Sequence, residues 1–145
     1  MKDLSLVCFG GEKILKEEIE TNKSNVDIKQ IFGDDRILLN LIQNAVCFIN
    51  TSSYEGFGIP NIEAMKNDCP VVCSDISVFR EICKDSVLYF ENNNSDDLAD
   101  KIDSVILNNE LRKKLIFNGQ MLSKIYSWDN CAKNTLNIYE RVFKE

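Results

Sequence analysis

Five short apolar runs, at residues 4–9, 26–32, 46–49, 71–73 and 87–90, alternate with stretches whose apolar residues recur at helical spacing. The first two runs end at glycines, Gly10-Gly11 and Gly33, as buried strands entering turns do. A charged, helix-prone stretch at 12–22 separates them. Leu38, Leu41, Ile42 and Ala45 stand at i, i+3, i+4 and i+7, an amphipathic helix, and a short helix at about 60–66 opens with Pro60. The spacing predicts further helices at 78–83 with Ser77 as cap, from Ser95 as N-cap through Leu98, Ile102, Val105 and Ile106, and around Leu111, Leu115 and Ile116 with a stop at Gly119. A last stripe, Trp128, Cys131, Ala132, Thr135, Leu136, Tyr139, Val142 and Phe143, reads as a packing face. Strands alternating with helices build βαβ units, so the expected fold is α/β: one doubly wound parallel sheet with helices on both faces.

The 145 residues make about one domain, 1–145, large enough for a real core. A net charge of −6 argues against a nucleic-acid partner but leaves room for a local phosphate pocket. No apolar run approaches the ~20 residues that cross a bilayer, and the first residues lack the apolar core of a signal peptide, so the expectation is a cytoplasmic protein. Cys8, Cys47, Cys69, Cys73, Cys83 and Cys131 form no Cys-x-x-Cys pair, and the chain has no histidine. No metal is expected, Ser-His and Cys-His catalysis is excluded, and the several cysteines inside apolar strand-like runs read as buried free thiols.

The segment richest in chemistry is Ser53-Tyr54-Glu55-Gly56-Phe57-Gly58-Ile59-Pro60-Asn61-Ile62-Glu63-Ala64-Met65. Two carboxylates flank a Gly-rich turn that runs into a helix. Such a turn can present backbone N–H groups to an anion. Acidic residues beside it can accept hydrogen bonds from sugar hydroxyls, as the acidic residue of dinucleotide folds does from a ribose. Phosphate with sugar describes a nucleotide-sugar.

This segment, with Pro70-Val71-Val72-Cys73-Ser74 and the run 79–90, resembles the retaining group 1 glycosyltransferases, the GT4-like enzymes of GT-B fold. Their signature is two glutamates with seven residues between them, which Glu55 and Glu63 match. The resemblance spans nearly the whole chain. It implies the C-terminal, donor-binding half of a GT-B enzyme, a Rossmann-like domain for a UDP- or GDP-sugar, in polysaccharide or lipopolysaccharide synthesis. By resemblance, Glu55 contacts and positions the donor sugar. The backbone of Gly56, Phe57, Gly58 and Ile59 follows the sugar and diphosphate, and Glu63, in the first helical turn, holds the ribose. Ile31, Phe32 and Gly33 lie near the nucleobase, and Gly10 and Gly11 line the cleft floor. The donor is a substrate; no cofactor is implied. Catalysis in the family is positioning plus stabilisation of charge on the departing diphosphate.

The chain also departs from the family. Asp68 and Lys84 stand where glycines are usual, and Asp tolerates left-handed backbone better than most residues. The acceptor-binding domain is absent, as are the first strand and a following basic loop that grips the diphosphate. Weak donor binding and no turnover by the isolated chain are expected. Deleting the central first strand from the family order leaves a flavodoxin-like order 2-1-3-4-5, with run 4–9 paired in parallel to run 46–49.

Phe57 reads equally as a core plug or a ligand contact, and Arg80 and Lys84 as surface charges. The expected partner is the missing acceptor-binding domain or a separate subunit, with the protein at the inner face of the membrane when partnered. The C-terminal helix or a sheet edge is open to self-association. Alternatives are a non-catalytic nucleotide-sugar-binding subunit of a split transferase, an epimerase of the same fold, or a Rossmann-like domain without a retained ligand.

Overall fold

A computed structural model describes residues 4–12 and 27–144. The chain divides into two compact units, Met1–Leu41 and Ile42–Glu145.

In the first unit β1 (Ser5–Phe9) runs parallel to β2 (Asp27–Ile31), in register from Ser5 with Asp27 to Phe9 with Ile31. The Gly10 N–H donates to the Ile31 carbonyl at 3.0 Å. The Gln30 side chain donates to the carbonyls of Gly10 and Glu12 at 2.9 and 2.7 Å, so the turn after β1 is tied to the end of β2. That turn runs through φ of 69° at Gly10 and 73° at Gly11, a left-handed path that glycine takes without steric cost. Helix α1 (Asp35–Asn44) follows the run predicted from Leu38, Leu41 and Ile42. The helix expected at 12–22 falls almost wholly outside the described residues.

The second unit carries β3 (Phe48–Asn50), β4 (Val71–Ser74) and β5 (Leu88–Phe90), all parallel, in the order β3-β4-β5. Between them lie α2 (Ile59–Lys66) and α3 (Ser77–Cys83); after them come α4 (Ser95–Leu107), α5 (Asn109–Ser123) and α6 (Trp128–Phe143). Every residue of β4 is buried, as expected of a central parallel strand covered on both faces. Val72, Phe90, Val105 and Leu115 form its core, with Cys47, Leu88, Leu98 and Leu111 packed around them.

The α/β class and the parallel strands are as read from the alternation. Among the described residues the ladders fall into two sheets, β1-β2 within the first unit and β3-β4-β5 within the second, so the order 2-1-3-4-5 is matched in its parts 2-1 and 3-4-5. A ladder forms only where both edges present backbone groups in register, and apolar patterning carries no such information.

Three end signals were misassigned. Asn94, not Ser95, caps α4, accepting from the Asp97 N–H at 3.0 Å. Ser77 is the first residue of α3 rather than its cap. Gly119 does not stop α5, which runs through to Ser123. At Gly119 the helix crosses α2 so closely that a Cβ would lie 3.0 Å from Met65 Cγ. The stripe on α6 is helical as predicted, but none of its residues is buried and Trp128 is 80% exposed, so it is not a packing face among the described residues.

Candidate functional site

Glu55 stands on the loop leaving the carboxyl end of β3, where parallel α/β sheets place their ligands. The loop ends at Gly58, which precedes α2 with φ 86° and ψ 44°, a left-handed conformation. Gly58 also touches the core: a Cβ there would come within 2.6 Å of Phe79 Cε1. Gly56, by contrast, has open space where a side chain would go. Phe57 packs edge-on against Tyr126 with ring centroids 5.4 Å apart, and the Tyr126 hydroxyl donates to the Ile82 carbonyl at 3.1 Å. Phe57 is therefore propped on the surface of the fold rather than plugged into its core.

Glu55 is half-buried, and its Oε1 accepts from the Ser52 hydroxyl at 3.0 Å. Glu63 is exposed and is the fifth residue of α2, because the helix begins at Ile59. It therefore falls in the second turn rather than the first, at 3.6 residues per turn. Pro60 offers no N–H, and the Asn61 N–H donates to the Gly58 carbonyl at 3.0 Å. The start of α2 thus has fewer backbone donors for an anion than a helix without proline would.

Ile31 ends β2 and, through its carbonyl, meets Gly10. Phe32 is 57% exposed, and Gly33 lies where a Cβ would strike Ile37. These three and the Gly10-Gly11 turn are brought together within the first unit. Glu55, Gly56, Gly58 and Glu63 all lie in the second.

Sequence reasoning missed the polar layer beneath the loop. Asn50, at the end of β3, and Asn61, on α2, are 8% and 0% exposed, and Asn50 Nδ2 donates to Asn61 Oδ1 at 2.9 Å. It also missed Arg80. Its guanidinium makes two bonds to Asp75, each 2.6 Å, and lies 3.9 Å over the Tyr89 ring. The Arg80 hydrogen bonds hold the Asp75 carboxyl below its usual range and push Arg80 higher still. Asp75 directly follows β4, and its N–H donates to the Phe90 carbonyl at 2.8 Å, so this pair sits at the same carboxyl end of the sheet. Asn50 and Asp75 lie just past the predicted strands 46–49 and 71–73, while Asn61 and Arg80 lie in helices and carry no such signal.

Under this layer Cys73 and Cys83 are both fully buried. The neighbouring Cys83 side chain, then burial, pushes the Cys73 thiol up. All six cysteines are free, and Cys69, Cys73 and Cys83 are buried as expected, with burial raising Cys69 to about 12. Cys131 is exposed. A shallow concavity of about 220 Å³ between Thr51 and the Asn92–Asn94 loop leaves both glutamates outside it. Among the described residues no cluster of three or more Cys, Asp or Glu is placed to hold a metal ion, and no helix is long and apolar enough to cross a membrane.

Residues 2–121 match the family of glycosyl transferases group 1. An O-antigen chain mannosyltransferase B of Escherichia coli is 34% identical over 106 residues, 73% of this chain and 28% of the relative. An uncharacterized glycosyltransferase of Methanocaldococcus jannaschii is 30% identical over 97% of this chain and 41% of its own length. The chain thus spans well under half of these curated relatives. HepE of Anabaena, solved in complex with UDP-glucose, superposes with a TM-score of 0.74 over 90% of this chain and 36% of that one, at 19% identity.

Proposed function

The chain belongs to the group 1 glycosyltransferases, and from that premise we propose that its second unit binds the nucleotide-diphospho-sugar donor of a retaining transferase. Glu55 accepts hydrogen bonds from the sugar hydroxyls, and the backbone of Gly56, Phe57, Gly58 and Ile59 lies along the sugar and diphosphate. Glu63 takes the ribose from the exposed face of α2. The observation that carries this reading is the placement of Glu55. It sits at the carboxyl end of a parallel strand, with one oxygen held at 3.0 Å by Ser52. A carboxylate oriented in this way can select hydroxyl positions, which a freely rotating one cannot. Glu55 positions the donor; no residue of the loop is placed to act as a general base.

The setting is polysaccharide or lipopolysaccharide assembly, in keeping with a relative that acts as an O-antigen mannosyltransferase. A UDP- or GDP-sugar is the donor class, in keeping with a similar structure that holds UDP-glucose. An acceptor-binding domain is the partner, and these residues alone do not turn over. The proposal rests on the second unit; the nucleobase role of Ile31, Phe32 and Gly33 and the floor role of Gly10 and Gly11 are carried as further parts of it.

Calorimetry with UDP, GDP, UDP-glucose and GDP-mannose tests the reading. Binding is expected to be weak, with dissociation constants up to about 1 mM. Glu63→Ala should weaken the bare nucleotide and its sugar alike, while Glu55→Ala should weaken mainly the sugar form. No binding by any of the four at millimolar concentration, or equal loss for both ligand types in Glu55→Ala, refutes it.

A further inference from the structure

Beneath the Glu55 loop runs a continuous line of hydrogen bonds. Asn61 Nδ2 donates to Cys83 Sγ at 3.7 Å, and Asn61 Oδ1 accepts from Asn50 Nδ2 at 2.9 Å. Asn50 Oδ1 accepts from the Ser52 N–H at 3.1 Å, and the Ser52 hydroxyl donates to Glu55 Oε1 at 3.0 Å. Ser74, on the neighbouring strand, donates to the Asn50 carbonyl at 3.4 Å. Every link from the core to the carboxylate is a named contact. Among the described residues no buried side-chain nitrogen or oxygen lacks a partner.

A pair of buried amides is not what stability alone selects. Two apolar side chains of similar shape can fill such a space at little or no cost, whereas an amide that loses its partner leaves a buried polar group unpaired. What an amide pair adds is direction. Each group accepts and donates along fixed lines, so the backbone of Ser52 can satisfy Asn50 in one place only. The Ser52 hydroxyl is then fixed relative to β3, and with it one oxygen of Glu55.

We propose that Asn50 and Asn61 are positioning residues, which act through Ser52 to hold Glu55 in the orientation that takes the donor-sugar hydroxyls. This rests on the reading of Glu55 as the donor-sugar contact. It adds that sugar recognition is set from the buried layer, three residues removed from the ligand. The bare nucleotide, which Glu55 does not touch, is indifferent to that layer.

The test compares UDP with UDP-glucose, and GDP with GDP-mannose, by calorimetry. The quantity read is the preference for the sugar form over its bare nucleotide. Ser52→Ala, in the half-buried loop, cuts the line without touching the core, and Asn61→Leu cuts it from below. Each should lower the preference roughly three- to tenfold, the scale of one lost hydrogen bond, with bare-nucleotide affinity unchanged. Ser52→Thr, which keeps the hydroxyl, should retain it. In a Glu55→Ala background neither change should lower the preference further. An unaltered preference in Ser52→Ala, or equal loss of the bare nucleotide, overturns the inference. If the wild type binds none of the four ligands, the donor-site reading itself falls. The positioning claim is then judged by amide hydrogen exchange over residues 52–57. Asn61→Leu should speed exchange there, and unchanged exchange overturns the claim without reference to any ligand.

Discussion

Gly58 lies against the ring of Phe79 so closely that a Cβ on it would stand 2.6 Å from Cε1 and 3.1 Å from Cδ1. Phe79 is wholly buried, so the ring has nowhere to retreat. The glycine also sits at φ 86°. Gly58→Ala therefore meets two penalties, left-handed strain of about 1–2 kcal/mol and overpacking of about 1–3 kcal/mol. A loss of roughly 2–5 kcal/mol is expected, read as a lower urea midpoint at unchanged slope. Gly56→Ala, with nothing within 4 Å of its Cβ, should change stability by less than about 0.5 kcal/mol. If the ligand backbone contact is there, Gly56→Ala should weaken donor binding instead. The two glycines of one motif then separate, one built into the core and the other facing the ligand.

A second prediction concerns Gly119, in the middle of α5. Alanine there gains about 1 kcal/mol in helix propensity. It also brings a Cβ to 3.0 Å from Met65 Cγ and 3.1 Å from Met65 Cβ. The Cγ can rotate aside, but the Cβ is fixed to the α2 backbone and cannot. Overpacking of about 1–3 kcal/mol should outweigh the propensity gain, and Gly119→Ala should destabilise by about 1 kcal/mol. A gain in urea midpoint would show that α2 and α5 separate freely. Valine should be worse than alanine, since its branches have no free direction.

These two glycines show where sequence reading works and where it stops. Gly58 precedes a proline and a helical run, so its turn role is local and was read correctly. Gly119 follows a short apolar periodicity and reads locally as a stop, because the crossing of α2 that requires it involves residues more than fifty positions away. The same distinction holds across the site. The paired glutamates are a pattern in one contiguous segment and were visible. The Asn50–Asn61 pair is eleven residues apart and joined by the fold, and in a chain rich in asparagine neither residue stands out. Adjacent Asn94 and Ser95 are both good caps, and only the helix start decides between them. Trp128 and its stripe encode an amphipathic helix but not what covers it. Strand order is legible only within each unit, since pairing is settled by backbone edges that no side-chain pattern describes.

Lys84 stands where the resembled family usually has glycine, and its backbone takes φ 49° and ψ −128°. Asp68 does the same at φ 61°. For Asp68 the left-handed well is a tolerated one, whereas the Lys84 pair of angles lies outside the ordinary wells, at a cost of about 1–3 kcal/mol. Lys84→Gly removes that strain and loses about 1 kcal/mol to the freedom of the unfolded chain. A net gain of up to about 1–2 kcal/mol is expected, visible as a raised urea midpoint. Tyr89 donates to the Lys84 carbonyl at 2.7 Å, a backbone contact that glycine keeps. Asp68→Gly should give a smaller gain or none. Equal gains at the two sites would mean that the Lys84 geometry carries no special strain.

The Asp75–Arg80 pair should make stability depend on pH with a definite sign. Arg80 donates two 2.6 Å bonds to the Asp75 carboxylate and holds its pKa below the ordinary value of 3.8. The folded state therefore binds the Asp75 proton less readily than the unfolded state does. The contribution is fully present above the unfolded pKa and is lost as pH falls through the lower, folded one. Both side chains are well exposed, at 42% for Asp75 and 55% for Arg80, so solvent screens the pair strongly. Arg80→Ala also removes the stacking on Tyr89. At neutral pH Arg80→Ala should thus cost more than Asp75→Asn, and both losses should be small. Below the acid end of the Asp75 titration the Asp75→Asn difference should vanish, while the stacking part of the Arg80→Ala loss should persist. Urea midpoints of the three proteins across pH 2–7 separate the two terms. An Asp75→Asn loss that grew on acidification would reverse the sign and exclude the ion pair as its source.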